Sequence, residues 1–534
     1  MELWQTSVDR ENLLKQFVLH DTITHSKGEK SFVDLVKNNL EQLPYFRQQD
    51  RIQFAHTDDD RRALIAHYEG KTSKDTIVLI SHFDTVGVDD YAEYKEYAFD
   101  TDKITEHFKK DNSYLDNDAI KDLNSNEYLF GRGVMDMKPG LMLHMSLIEK
   151  AIIEEWDINL VLVTVPDEEV GSKGMLAAID TLKELKERKN LNIRLHLNSE
   201  PTFQQEGSDT NHYVYSGTIG KIMPGVFVYG LETHVGNALN GISSNYIMSY
   251  INQSLEYNPL FIENFKDEIT PPLVSLYMRD IKDHYDVQTP FKTVSLYNAF
   301  IFNRNAEEVF ETFNSVVEKA VESCTTVLNE QFDTGFYAGG VSVPVITYSE
   351  LYVKAVNELG RETVETIINQ AEQKVTESHM KSVQIVDDLM TVMRSIGPAV
   401  ITFYTPPYYP AANSSDDLDV KLAVSEVIRS ASELGRISEE VRYFNGICDL
   451  SYVQYTSNNL SDAVYEENTP SFGRSYSIPF DSIREISAPI INIGPIGKDA
   501  HKVSERVLKK SAFSELPYIL ESVIQNCYIK NRDV

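Results

Sequence analysis

Cysteine is scarce: the 534 residues hold three, Cys324, Cys448 and Cys527, with no CxxC pair among them. Thiols so few and so widely spaced make no disulfide framework, and a reducing compartment suits them best. Also missing is any run of about 18 apolar residues, the length a membrane-crossing helix needs. The opening stretch, MELWQTSVDRENLL, is polar and charged and lacks the apolar core of a signal peptide. Positive charge is in short supply too. Lys and Arg number 50 against 81 Asp and Glu, which leaves a net charge of −31. A nucleic-acid backbone or an anionic lipid surface is gripped by clustered cations, so neither is expected as a partner. Together these absences lead to the expectation of a soluble, cytoplasmic protein.

What is present reads as an ordinary globular chain. Hydrophobic residues make up 42% and charged residues 25%, so disordered and fibrous classes are out. At roughly 150 residues per domain the length allows three to four domain-sized units. Apolar residues recur at helical spacing in DRENLLKQFVL and KSFVDLVKNNLEQL. The texture then changes to β-branched runs, TIVLISHFDTV and NLVLVTVP, which read as strands buried on both faces. Between them lies GLMLHMSLIEKAIIEE, long enough for a helix. Strand, helix, strand predicts an α/β layer on a largely parallel sheet. From residue 217 a Gly-punctuated strand pair, two long helices and further strands predict an inserted α+β unit. The expected division is therefore 1–216, 217–350 and 351–534. Within the last part, PAVITFY and INIGP read as strands returning to the first sheet, and 455–487 reads as a long polar loop.

Open α/β sheets place their sites at strand ends, and five candidate clusters fall there. His82 and Asp84 follow the strand TIVLI and share one face of an extended chain; a carboxylate beside a His is a metal-site arrangement, although a solvated strand-end His reads the same way. Asp136 stands among glycines in GRGVMDMKPG, which could equally be a plain loop. Asp167-Glu168-Glu169 ends the strand NLVLVTV, and three adjacent acids repel one another unless cations lie close. Glu200, in LNSEP, and His501, in GKDAHKVSE, could each be an ordinary turn or helix cap. Taken together, two His and several carboxylates match the nitrogen and oxygen donors of a paired zinc-like site. Such a site also needs one surplus carboxylate to take a proton. Adjacent residues of an extended turn point in opposite directions, so Glu168 and Glu169 are expected to do different jobs.

In order and type these five motifs resemble the dinuclear zinc exopeptidase and deacylase family of carboxypeptidase G, succinyl-diaminopimelate desuccinylase, acetylornithine deacetylase and aminoacylase. The likeness covers most of the chain and is nearest to the branch associated with bacterial arginine utilisation. It implies a zinc-exopeptidase-like catalytic domain with an inserted lid, and two divalent ions, zinc or else cobalt or manganese. One ion would be held by His82, Asp136 and Glu200, the other by Asp136, Glu169 and His501. Glu168 would be the general base and Asp84 the partner of His82. The lid would supply His234, in Leu231-Glu232-Thr233-His234, to polarise the scissile carbonyl, though Thr-His-Val stands where the family has Ala-His-Ser. Arg304, in FNRNAEE, would grip a substrate carboxylate, and Asp449, in YFNGICDLS, would lie near the substrate. The resemblance also implies a homodimer through the lid and a cis Asp136–Met137 peptide, at a cost of roughly 3–4 kcal/mol.

The resulting expectation is a metal-dependent hydrolase that cleaves an amide bond in a small N-acyl amino acid or dipeptide. Two other readings stand beside it: a binding or regulatory protein that keeps the fold without turnover, and an α/β protein with acidic strand ends and no site. The second would have drifted away from a ligand, and the third does not account for five ordered motifs.

Overall fold

The run Thr76-Ile77-Val78-Leu79-Ile80 builds the strand Asp75–His82, in which every residue after the first is buried. It is flanked in parallel by Asn159–Val165 and Asn192–Asn198. The computed structural model describes residues 2–205, 209, 211–282, 284–331 and 340–530. These divide into two units, Met1–Thr218 with Ala412–Tyr455 and Pro479–Val534, and Ile219–Ala411 with Thr456–Ile478.

The first unit is a mixed α/β layer. Its eight-stranded sheet runs Ile52–His56, Arg62–Tyr68, Asn159–Val165, Asp75–His82, Asn192–Asn198, Ile490–Asn492, His212–Tyr215 and Ser438–Val441. The central four of these, from Asn159–Val165 to Ile490–Asn492, are mutually parallel. Helices Ser7–Leu19, Lys27–Leu40 and Lys138–Glu154 pack their apolar faces into one core with the sheet, through Phe17, Phe32, Leu79, Leu141 and Leu162. Truncating a side chain buried at this depth costs about 2–5 kcal/mol. Parallel register brings the strand ends level: His82 pairs with Val165, and Asn198 pairs with Ile80 and Asn492. The segments that follow these strands therefore meet at one edge. A second, three-stranded sheet joins Tyr128–Phe130 to the hairpin Gly497–Lys498 and Arg506–Leu508. It presents the Asp136 loop and the His501 loop side by side.

The second unit has a five-stranded sheet, Val274–Asp280, Lys292–Ile301, Gly220–Tyr229, Ala399–Tyr409 and Val345–Thr347. Here the structure departs from the sequence reading in three places. Residues 351–396, assigned above to the last part of the chain, form helices Tyr348–Leu359, Arg361–Glu372 and Ser378–Val392, whose Leu351, Ile368 and Leu389 share a core with Phe227 and Ile401. PAVITFY pairs with Gly220–Tyr229 and not with the first sheet, because an apolar strand carries no mark of the sheet it joins. The polar stretch 455–487 holds the helices Asn459–Asn468 and Phe480–Ile486. Asn458 caps the former with its side chain, which stabilises a helix whose few apolar residues give only a weak period.

Candidate metal centre

Each side chain of the site is placed by a strand end or a tight turn. His82 ends its strand with the ring 1% exposed. Its Nδ1 lies 3.1 Å from the backbone oxygen of Asp84 and 3.5 Å from that residue's Oδ1. A proton held on Nδ1 leaves Nε2 free to point outward. There it meets Asp136 Oδ1 at 3.0 Å, Glu200 Oε1 at 3.3 Å and Glu168 Oε2 at 3.8 Å. The other oxygen of Asp136 faces His501: Nε2 of that ring is 3.3 Å from Oδ2 and 3.1 Å from Glu169 Oε2. Asp136 thus stands between two imidazoles, with one carboxylate oxygen toward each.

The carboxylate of Asp84 does more than face His82. It accepts hydrogen bonds from the backbone N–H of Glu168 at 3.0 Å and of Glu169 at 3.3 Å, and from Thr24 Oγ1 at 2.9 Å. The two glutamates sit on a turn whose preceding residue, Asp167, has φ 71°. Their carboxylates diverge, Glu168 toward His82 and Glu169 toward His501. Glu200 follows its strand at a point where backbones crowd together. A Cβ on Gly140 would stand 3.0 Å from the Ser199 carbonyl oxygen, so the first turn of the helix after Asp136 can lie against Glu200 only with glycine there. The Asp136–Met137 peptide is trans; among the described residues cis bonds occur at Gly397–Pro398 and Pro406–Pro407. The trans bond carries no isomer penalty, and Glu505 Oε1 holds the loop by accepting from the N–H of Met135 and Asp136.

Charge in the cluster is unbalanced. Burial pushes the Glu168 carboxyl well above the usual range, and Glu200, Asp449 and Glu169 add to the rise against His82. Glu200 is pushed up to about 8 by burial and by Asp136. Burial opposes charge on His82, but Glu200, Asp136 and Asp84 overcome it and hold the imidazolium form. Hydrogen bonds to Asp136 and Glu169 carry His501 to about 10. Asp136 alone falls below the carboxylate range: burial opposes its charge, and His501 and His82 outweigh burial. Among the described residues, the ion pairs of Asp136, Glu168, Glu169 and Glu200 are all with these two imidazoles. Four buried or half-buried acids around two His are what a divalent cation relieves. The atoms to hold one are gathered in two groups, His82 with Asp136 and Glu200, and Asp136 with Glu169 and His501, each within 4.8 Å. Oxygen and nitrogen donors sharing one carboxylate fit a pair of divalent ions.

Sequence and geometry meet at this point. Residues 78–526 match Peptidase family M20/M25/M40. The chain belongs to that family. It is a metal-dependent hydrolase, and the donor groups lie on the matched segment. The chain is 35% identical over 531 residues to "Uncharacterized protein YqjN" of Bacillus subtilis (strain 168), covering 98% of this chain and 96% of that one. It is 29% identical over 534 residues to "Protein RocB" of the same organism, covering 96% and 93%. Its fold is similar to that of an M20 family metallo-carboxypeptidase, Sso-CP2, from Sulfolobus solfataricus, with a TM-score of 0.55 at 13% identity over 96% of this chain and 98% of the other.

Asp449 is buried beside Ser172, and burial pushes it up to about 7. Its charge bears on Glu168. His234 and Arg304 belong to the second unit. The Nδ1 of His234 accepts from the N–H of Gly236 at 3.0 Å, and the ring is exposed. Arg304 donates from Nη1 to the carbonyl of Leu260 at 2.6 Å. Several supporting residues escape a reading of the sequence. Arg61, fully buried, binds Asp59, Glu29 and Asp167. Arg132 joins Glu505 to Asp90. Arg132 and Glu505 stand inside the second and fifth motifs and could have been flagged there. Asp59 lies two residues before Arg61, but the pairing of Arg61 with Glu29 and Asp167 carries no local signal, since these residues are distant in sequence.

Proposed function

We propose that the chain hydrolyses the amide bond of a small N-acyl amino acid or dipeptide with the help of two divalent ions, zinc or else cobalt or manganese. His82, Asp136 and Glu200 would hold one, and Asp136, Glu169 and His501 the other. The observation that carries this reading is the split of Asp136, one oxygen toward each imidazole. Bound there, such ions supply Lewis acidity, which eases deprotonation of water and polarises a carbonyl.

The remaining work falls to the chain's own groups. Glu168 lies outside both donor groups yet 3.8 Å from His82. It takes the proton of the attacking water and returns it to the leaving nitrogen, and its raised affinity for a proton suits both transfers. Asp84 keeps Glu168 and Glu169 apart in their separate roles by holding both backbone N–H groups. Asp449 faces Glu168 from the buried side and favours its protonated form. From the second unit, acting as a lid, His234 would donate to the carbonyl oxygen of the substrate and Arg304 would bind its carboxylate. The lid would also join two copies into a dimer. Cytoplasmic residence suits three free thiols, none in a disulfide.

The likeness to the arginine-utilisation branch supports arginine and ornithine derivatives as the first substrates to try. The test is metal analysis of the purified protein, followed by a panel of N-acyl amino acids and dipeptides with added zinc, cobalt or manganese. Two ions per chain with turnover on at least one amide is the expected result. Two ions with no turnover anywhere on the panel would leave the silent binding protein as the better reading.

A further inference from the structure

His501 is the weakest-held member of the two donor groups. Its side chain is 49% exposed, so packing does not fix it. Its backbone has φ 63°, and Asp499, two residues earlier, has φ 59°; side chains other than Gly seldom adopt that region. Something must hold this loop in shape, and the hairpin around it shows what does. Arg506, 1% exposed, turns its guanidinium into the loop. Its Nη1 donates to Asp499 Oδ2 at 2.5 Å and to the Ser504 carbonyl at 3.0 Å, and Ser504 Oγ also donates to Asp499 Oδ2 at 2.8 Å. One side chain thereby ties together both ends of the loop that carries His501.

Arg506 is itself held from behind. Its Nε donates to Asp122 Oδ2 at 2.7 Å and its Nη2 to Asp118 Oδ2 at 2.7 Å. Lys498, its partner across the hairpin, donates to the same two oxygens at 2.8 and 2.7 Å. The ring of Tyr128 lies 5.4 Å from the Lys498 ammonium and 5.8 Å from the Arg506 guanidinium. Asp118 and Asp122 stand four apart on the helix Asn117–Ser125, so both face the hairpin. Neither belongs to a donor group. Without them, Lys498 would lose both of these carboxylates and Arg506 would keep only Asp499, so Arg506 would be drawn out of the loop toward water.

We propose that Asp118 and Asp122 are positioning residues for His501: acting through Arg506, they set how tightly the second donor group holds its ion and leave the first group untouched. The inference rests on the two-ion reading above. Partners that orient a ligand from behind are worth roughly 10–100-fold in metal affinity, and that is the scale expected here.

The experiment titrates the metal-stripped, full-length protein with cobalt(II), followed by calorimetry and by the visible absorption of the bound ion. Wild type, D118N, D122N, D122E and R506K are compared, with the unfolding midpoint of each stripped protein as a check on folding. Wild type should take up two ions. In D122N and R506K the first ion should bind as in wild type, while the second weakens by roughly 10–100-fold. D122E should recover most of that loss, which a merely structural change would not show. Asp118 is 44% exposed, so D118N will fold and decides the matter if R506K does not; it should weaken the second ion in the same direction by a smaller factor. Second-ion binding unchanged in the variants, or both ions weakened by one common factor, would overturn the proposal. A wild type that binds fewer than two ions would overturn the two-ion reading itself, and this inference with it.

Discussion

Replacing Arg61 by Met should uncouple the Glu168–Glu169 turn from the body of the first unit. The guanidinium is fully buried and reaches Glu29 at 3.0 Å, Asp167 at 2.5 Å and Asp59 at 2.7 Å. Asp59 is 33% exposed and can turn to water, but Glu29 and Asp167 are 0% and 2% exposed. Stranding a buried charge costs about 3–5 kcal/mol. Two features pull the value to the lower end. Glu29 keeps hydrogen bonds from the N–H of His25 and Asp167, and Asp167 keeps one from Lys173. Burial, reinforced by Asp84 and opposed by Arg61, already pushes Glu29 up to about 7, so it takes up a proton readily once Arg61 is gone. A loss of about 3 kcal/mol follows, roughly two decades in the folding equilibrium.

The loss should depend on pH. Without Arg61, Glu29 has a folded pKa well above its unfolded value, so the unfolded state binds fewer protons and stability falls as pH rises. The penalty of Arg61→Met should therefore be small at pH 5 and largest at pH 8. Urea denaturation at both pH values measures it, and amide exchange at Gly171 and Ser172, whose N–H groups bond to the Asp167 carbonyl, reports the turn directly. A penalty below about 1 kcal/mol at pH 8, or one that does not change with pH, would refute the reasoning.

Glu168→Gln should keep both ions and lose roughly 10²–10⁴-fold in turnover, whereas Glu169→Gln should loosen one ion; metal analysis and rates on the two variants side by side check the assignment, and the opposite pattern would reverse the roles. His234→Ala should lower turnover with metal content unchanged, and an unchanged rate would remove His234 from the reaction. Asp136→Asn should release both ions, since it serves both groups, and full metal retention on dialysis would refute the sharing. His196 is buried and held at about 4 by that burial, so below its unfolded pKa of about 6.5 the unfolded state binds the extra proton and stability falls as pH drops toward 4; in His196→Gln that acid loss should shrink by up to about 3 kcal/mol, read from urea midpoints between pH 7 and pH 4.

How legible all this was depends on where each signal sits in the chain. The central strands could be read because burial on both faces leaves an uninterrupted apolar run, as in Asp75–His82. His82, Glu169 and Glu200 could be singled out because each stands at or just after such a strand, and Asp136 because it lies in a glycine-rich turn, whereas His501 follows only the two-residue strand Gly497–Lys498. Sheet membership could not be read: PAVITFY would suit either sheet, and pairing with Gly220–Tyr229 is decided by the whole topology. Nor could the supports be read. Arg61, Glu29 and Asp167 meet only after the chain has folded, and the same holds for Asp118, Asp122 and Arg506. Helix Asn117–Ser125, which bears two of these, lies in a polar stretch with no apolar run to announce it. The orientation of His82 was half legible: the carboxylate two residues on was plain, but the shorter contact is to that residue's backbone oxygen.

The strand Ile490–Asn492 lies between Asn192–Asn198 and His212–Tyr215 in the main sheet, and this has a consequence for how the protein is made. Its two neighbours leave the ribosome almost 300 residues before it does. At about 5–20 residues per second, the nascent chain spends on the order of 15–60 s with that slot unfilled. His501 follows the strand, so for the same interval the acids at the sheet edge stand with only one of their two imidazoles. Catalytic competence is thus a late event in biosynthesis.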